Sequence, residues 1–286
     1  MKLKKSALLV DVDNTLFDWF HVWYESFSAM MVEVEKISGI QKEELYHEIR
    51  QIHQAAGTSE YSLLLGQIPT LKKMYGDDLL SEMEPAISAF RSARRTHLRL
   101  YPLVYETLLG AKASGVKIGA YTESQAFYTA YRFRKLGLDK IVDALFSPPD
   151  HEMPKGITPL SLRSKPAKDY QFEHTEHYHT PENELKPNPE LLRDIIKVMQ
   201  VEPRDVVYVG DSLFKDIAMA QSAGVTDVYA EYGASHAKIE YDLLRSVSHW
   251  TDEDVEREKK ISQKDVQPSF VLDSNFGQIC NYIDWK

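Results

Sequence analysis

Ala7-Leu8-Leu9-Val10-Asp11-Val12-Asp13-Asn14-Thr15 opens on an apolar run that stops at two acids. With no polar residue between positions 7 and 10, the run reads as a strand buried on both faces. Residues 116–121 and 205–209 repeat the pattern, and 141–146 and 225–229 are weaker copies. Between them lie helical patterns over 103–113, 125–136, 189–200 and 213–223, three of which stop near Gly115, Gly137 or Gly224. Glycine just past an apolar-periodic stretch ends a helix. The alternation predicts an α/β fold with a Rossmann-like parallel sheet core. Residues 270–273 and 275–283 predict one last strand and helix.

Residues 18–99 break the alternation. They carry helical stretches over 19–37, 42–55, 62–75 and 82–97 and no convincing strand, which predicts an inserted helical subdomain returning near Leu100-Tyr101-Pro102. The core is then 1–17 plus 100–286. A second interruption, 147–185, holds Pro148, Pro149, Pro154, Pro159, Pro166 and Pro181 with little periodicity. Loops of this length are usually functional or disordered. His174, His177 and His179 within it read as a solvated polar loop rather than a metal site, since no expected element fixes their geometry.

In 286 residues, 34 basic side chains face 43 acidic ones, a net charge of −9 that argues against a generic nucleic-acid binder. Cys280 is the only cysteine, so no intramolecular disulfide is available and a reducing compartment fits. The basic start, Met1-Lys2-Leu3-Lys4-Lys5, leads into an apolar stretch too short for a signal peptide or a membrane span. The expectation is a cytoplasmic protein with no membrane partner. The sequence leaves the oligomeric state open.

In open parallel sheets, ligands bind beyond the carboxyl ends of the strands, where Asp11, Thr122 and Asp211 all fall. Asp11 and Asp13 are two apart, so an extended backbone points both to one side. Neighbouring carboxylates separate in proton affinity, letting one act as nucleophile while the other carries a proton. Read alone, the segment is equally an Asp- and Asn-rich turn. Thr122 offers a hydroxyl to a phosphoryl oxygen, or simply caps the next helix. Lys186 precedes Pro187, which confines it to extended geometry ahead of a helix start. Asp211, in Gly210-Asp211-Ser212, can share a hard divalent cation with Asp11, which suggests Mg²⁺. Asp216, about one helical turn on, can orient Lys186 or ligand waters.

Asp11-Val12-Asp13-Asn14-Thr15, Thr122, Lys186-Pro187-Asn188-Pro189 and Gly210-Asp211-Ser212-Leu213-Phe214-Lys215-Asp216 together resemble the four motifs of the haloacid dehalogenase superfamily. The resemblance implies that Asp11 forms an aspartyl-phosphate and Asp13 is the general acid/base. It implies phosphate contacts from Asn14, Thr122, Glu123 and Lys186, and a Mg²⁺ site on Asp11, Asp13, Asp211 and Asp216. Residues 18–99 resemble the helical cap that selects substrate. The namesake dehalogenases lack the second acid, because a halide leaves without a proton, whereas an alkoxide needs one. Asp13 therefore favours a Mg²⁺-dependent phosphatase acting on a small phosphorylated metabolite. A phosphomutase, or a non-catalytic binding or regulatory protein on this fold, stays open as an alternative. The 147–185 insert departs from the family pattern and fits an extra lid or an oligomer contact.

Overall fold

The computed structural model describes residues 2–150, 166, 170–181, 184–234, 241–251, 253 and 266–285. The strands in chain order are β1 (Leu3–Lys5), β2 (Ala7–Val10), β3 (Lys117–Tyr121), β4 (Ala144–Ser147), β5 (Glu176–His179), β6 (Val206–Gly210), β7 (Thr226–Tyr229) and β8 (Ile283–Trp285). Six of them form a parallel sheet in the order β5-β4-β3-β2-β6-β7. The chain runs outward from β2 in one direction and then in the other, so the switch point lies at β2, flanked by β3 and β6. Val10 is level with Ala120 and Val209, which aligns the three strand ends that carry Asp11, Thr122 and Asp211.

All four β2 side chains are fully buried, as the apolar run requires. The helices in chain order are α1 (Trp19–Ser38), α2 (Lys42–Ala56), α3 (Pro69–Tyr75), α4 (Leu79–Glu82), α5 (Glu84–His97), α6 (Val104–Ala113), α7 (Ala126–Lys135), α8 (Pro189–Val198), α9 (Ala218–Ala223) and α10 (Tyr241–Val247). Ala7 and Leu9 pack with Tyr121, Tyr208, Leu192 and Ile195 of α8, and Met219 of α9 in one apolar cluster.

The chain divides into two compact units. One comprises the described residues of 1–18, 99–234 and 262–286 and holds the sheet. The other comprises Trp19–Leu98 and the described residues of 235–261. It is helical, with α1 against α5 and a core that includes Phe27, Met31, Ile49, Leu71 and Met83. Placing α10 in the helical unit departs from the sequence reading, which leaves it in the core. Leu244 and Val247 are buried there, and His53 Nδ1 lies 2.6 Å from the Val247 carbonyl oxygen. Local spacing marks α10 as amphipathic but does not say which apolar surface it joins.

Two further expectations change. Residues 270–283 form no strand-and-helix pair. Val271 makes a single bridge to Tyr229, a 3₁₀ turn spans Phe276–Asn281, and β8 pairs in parallel with β1 in a small separate sheet. Within 147–185, residues 151–165, 167–169 and 182–183 lie outside the described residues. The described part is not all loop, because β5 places His177 and His179 on a strand at the sheet edge. No helix among the described residues is long and apolar enough to cross a membrane.

Candidate active site

Asp11 follows β2, with its backbone N–H on the Val209 carbonyl at 2.8 Å. Asp211 follows β6, and Asp216 lies in the π-type turn Leu213–Ile217 that leads into α9. One oxygen from each of these three carboxyls lies within 4.8 Å of the others, the single such acidic group among the described residues. Gly210 permits the arrangement, since a Cβ there would stand 2.4 Å from Cβ and Cγ of Asp216.

Lys186 is buried and spends all its donors on this cluster. Its Nζ donates to Asp11 Oδ1 at 2.6 Å, Asp216 Oδ1 at 2.8 Å and the Tyr121 carbonyl at 3.3 Å. The ammonium also lies 4.7 Å from the Tyr121 ring centroid and 5.7 Å from that of Tyr208. Burial works to lower its pKa, but the Asp11 and Asp216 carboxylates outweigh that and hold it well above the usual lysine value.

Burial pushes the Asp11 carboxyl up to about 7, against the pull of Lys186 and with repulsion from Asp216 and Asp13 adding to it. Burial, followed by Asp11 and Asp216, raises Asp211 well above the carboxylate range. The acids thus crowd one another around the buried Lys186. Asp11 Oδ2 is buried and has no hydrogen-bond partner. Both Asp216 oxygens are engaged: Oδ1 accepts from Lys186 and from the Tyr208 hydroxyl at 2.8 Å, and Oδ2 accepts from the Ser212 N–H at 3.1 Å.

Asp13 turns its carboxyl toward β3 and α7. Its Oδ2 accepts from the Thr122 hydroxyl at 2.8 Å, and its Oδ1 accepts from Arg132 Nη1 at 3.3 Å. Thr122 Oγ1 also accepts the Ser124 N–H at 3.0 Å. Asn14 adopts a left-handed φ of 61°, which bends the nucleophile loop. Gly233 crosses that loop so closely that a Cβ would fall 1.8 Å from the Asn14 carbonyl oxygen.

Glu123 Oε1 accepts the Lys186 backbone N–H at 2.8 Å, and its Oε2 accepts from Lys215 Nζ at 3.0 Å. Burial opposes its ionisation, but Lys215 and Lys186 outweigh this and lower its pKa. The Glu123 side chain thus bridges the Lys186 backbone and Lys215.

The fold therefore gathers Asp11, Asp13, Thr122, Glu123, Lys186, Asp211 and Asp216 at the strand ends. Arg132 and Tyr208 were missed by sequence reasoning. Arg132 did leave a signal, because it falls three residues after Thr129 and one before Phe133, on the buried stripe of α7.

The chain matches the haloacid dehalogenase-like hydrolase family over residues 5–224, and a HAD-hydrolase-like family over 185–274. It is similar to a glyceraldehyde 3-phosphate phosphatase of Methanopyrus kandleri, 25% identical over 233 residues that cover 79% of this chain and 84% of the relative. A Pyrococcus furiosus protein of the same name is 24% identical over 147 residues, 51% of this chain and 48% of the relative. Among solved structures, a 2-haloacid dehalogenase of Pseudomonas syringae shares the fold with a TM-score of 0.51, 18% identity, and coverage of 98% of this chain and 97% of that one.

Proposed function

The chain belongs to the haloacid dehalogenase-like hydrolase family, and from that premise we propose that it is a Mg²⁺-dependent phosphatase working through an aspartyl-phosphate. The observation that carries the reading is the asymmetry of Asp11. One oxygen is held by Lys186, while the other is buried and unpartnered. An anionic oxygen kept free of donors is what an attacking group requires.

The donor set fits a hard dication. Asp11, Asp211 and Asp216 offer carboxylate oxygens within 4.8 Å of one another, and no sulfur or imidazole is among them. Asp11 and Asp211 would hold the ion, with the Asp13 main-chain carbonyl. Asp216, whose oxygens already have donors, would hold Lys186 in place. A bound Mg²⁺ would neutralise charge on the transferring phosphoryl oxygens.

The chain's own groups supply the rest. Asp11 Oδ2 attacks phosphorus while Lys186 keeps its partner oxygen paired, and Asp13 gives a proton to the departing ester oxygen. Asp13 then takes a proton from the water that attacks the acyl phosphate. Thr122 and Asn14 of the nucleophile loop hold the phosphoryl oxygens, with Lys186 exchanging its 3.3 Å bond to the Tyr121 carbonyl for one of them. A dehalogenase would leave Asp13 without work, because halide departs unprotonated. The helical unit would serve as a cap that selects substrate, and glyceraldehyde 3-phosphate heads the candidates because the M. kandleri relative bears that name.

The test is a screen of glyceraldehyde 3-phosphate, sugar phosphates, nucleotides and small phosphorylated acids, each with Mg²⁺ or with chelator. Inorganic phosphate released only with Mg²⁺ supports the reading. Isomerised ester without phosphate release, or no turnover of any ester, would overturn it.

A further inference from the structure

The Arg132 guanidinium is buried on α7, with its side chain 3% exposed, and Nη1 stands 3.3 Å from Asp13 Oδ1. The same nitrogen lies 3.4 Å from Ser124 Oγ. The guanidinium carbon sits 5.3 Å from the Phe17 ring centroid and 5.9 Å from that of Tyr128. We propose that Arg132 is a positioning residue that reserves Oδ1 of Asp13 as an acceptor and so commits Oδ2 to proton transfer. This rests on the phosphatase reading above.

Donors and acceptors decide which oxygen carries the proton. A guanidinium only donates, and it stays charged in proteins. The carbonyl oxygen of a carboxylic acid is its better acceptor, so a guanidinium on Oδ1 favours the acid form with its proton on Oδ2. That is the oxygen facing the Thr122 hydroxyl at 2.8 Å. Thr122 has one proton to donate. Once it turns to a phosphoryl oxygen, Asp13 loses that tie and Arg132 is left to hold the carboxyl. The Phe17 and Tyr128 rings beside the guanidinium limit its own movement. In the step served, the Oδ2–H bond breaks and a hydrogen–oxygen bond forms on the leaving group, as the phosphorus–oxygen ester bond breaks and the bond from Asp11 Oδ2 to phosphorus forms. Arg132 touches none of the reacting atoms and acts through Asp13.

The experiment compares kcat/KM for an alkyl monophosphate and for p-nitrophenyl phosphate, because kcat/KM reports steps through leaving-group departure. Nitrophenolate leaves with little need of a proton, while an alkoxide requires one. Arg132→Met should lower the alkyl value on the order of 10²-fold and the nitrophenyl value by less than about tenfold. Asp13→Asn should show the same bias, and adding Arg132→Met to it should cost less than about threefold more. Arg132→Lys, which keeps the charge but not the planar fork, should show a smaller loss with the same bias.

Equal losses on the two esters in a folded variant, or fully multiplicative losses in the double variant, would overturn the proposal. Failure of both Arg132 variants to fold would assign the residue to the scaffold and overturn it as well. A wild-type protein inert toward these two esters and toward every ester of the screen above would overturn the phosphatase reading and this proposal with it. Equal losses in an active protein would overturn this proposal alone.

Discussion

Lys186 Nζ lies 2.6 Å from Asp11 Oδ1, and the same ammonium reaches Asp216 Oδ1 at 2.8 Å, inside the acidic group completed by Asp211. Three carboxyls around one buried lysine leave excess negative charge. Excess charge of that kind costs stability until a further cation arrives. The site is therefore built for binding at the expense of the fold.

That imbalance sets a pH dependence. Asp11 is raised from 3.8 to about 7, burial being the largest cause. Between those values the folded chain keeps a proton that the unfolded chain has lost. The Asp11 contribution to stability in chelator should therefore fall as pH rises from about 4 through 7. Asp11→Asn should remove that contribution, leaving the one from Asp211, and be the more stable protein at pH 8, as urea midpoints would register. A wild-type stability that does not fall relative to Asp11→Asn as pH rises over this range would contradict the electrostatic account.

Divalent cation should reverse the penalty. Mg²⁺ at one hundred times its Kd should stabilise the wild-type protein by about 2.7 kcal/mol, read as a rise in Tm. Asp211→Asn should lose most of that rise, because it removes one of the two acids assigned to the ion. An equal Mg²⁺ shift in both proteins would place the ion elsewhere.

Gly233 gives a test of the loop that carries Asp13 and Asn14. A methyl group there would meet the Asn14 carbonyl oxygen at 1.8 Å, far inside contact distance. Gly233→Ala should cost about 1–3 kcal/mol in urea unfolding. It should also lower kcat by about tenfold or more, since sub-ångström displacement of catalytic groups is expensive. Wild-type kcat in this variant would show that the loop has room to shift.

The helical unit carries its own pH response. Burial is the main cause that lowers His53 from 6.5 to about 4. The unfolded chain takes up a proton below 6.5 that the folded chain refuses until about 4. Stability contributed by neutral His53 is thus complete above 6.5 and lost as pH falls toward 4, on the order of 3 kcal/mol. His53→Gln should flatten that part of the profile, as urea midpoints at pH 7 and 4.5 would show.

Strand ends were legible in the sequence because β2, β3 and β6 are apolar runs that stop at polar residues, and a parallel sheet brings such ends together. The match was local pattern plus one topological rule. What escaped has a common physical character. β8 has three residues and finds β1 across the whole chain, so no periodicity could announce the pairing. The destination of α10 depends on surfaces remote in sequence. The Asp13 tie to Arg132 joins residues 119 apart, and only the odd placement of an arginine on the buried stripe of α7 hints at it. The Glu123 ties to Lys186 and Lys215 were hidden for the same reason, since both lysines lie in other motifs.

The central claim is that Asp11 becomes covalently phosphorylated. Rapid acid quenching during steady turnover of an alkyl phosphate, followed by peptide mass analysis, tests it most directly. The account predicts one phosphoryl group on the peptide containing Asp11, released by hydroxylamine as an acyl phosphate and missing from Asp11→Asn. A protein that releases phosphate at full rate with Asn at position 11, or that carries the phosphoryl group on another residue, would contradict it.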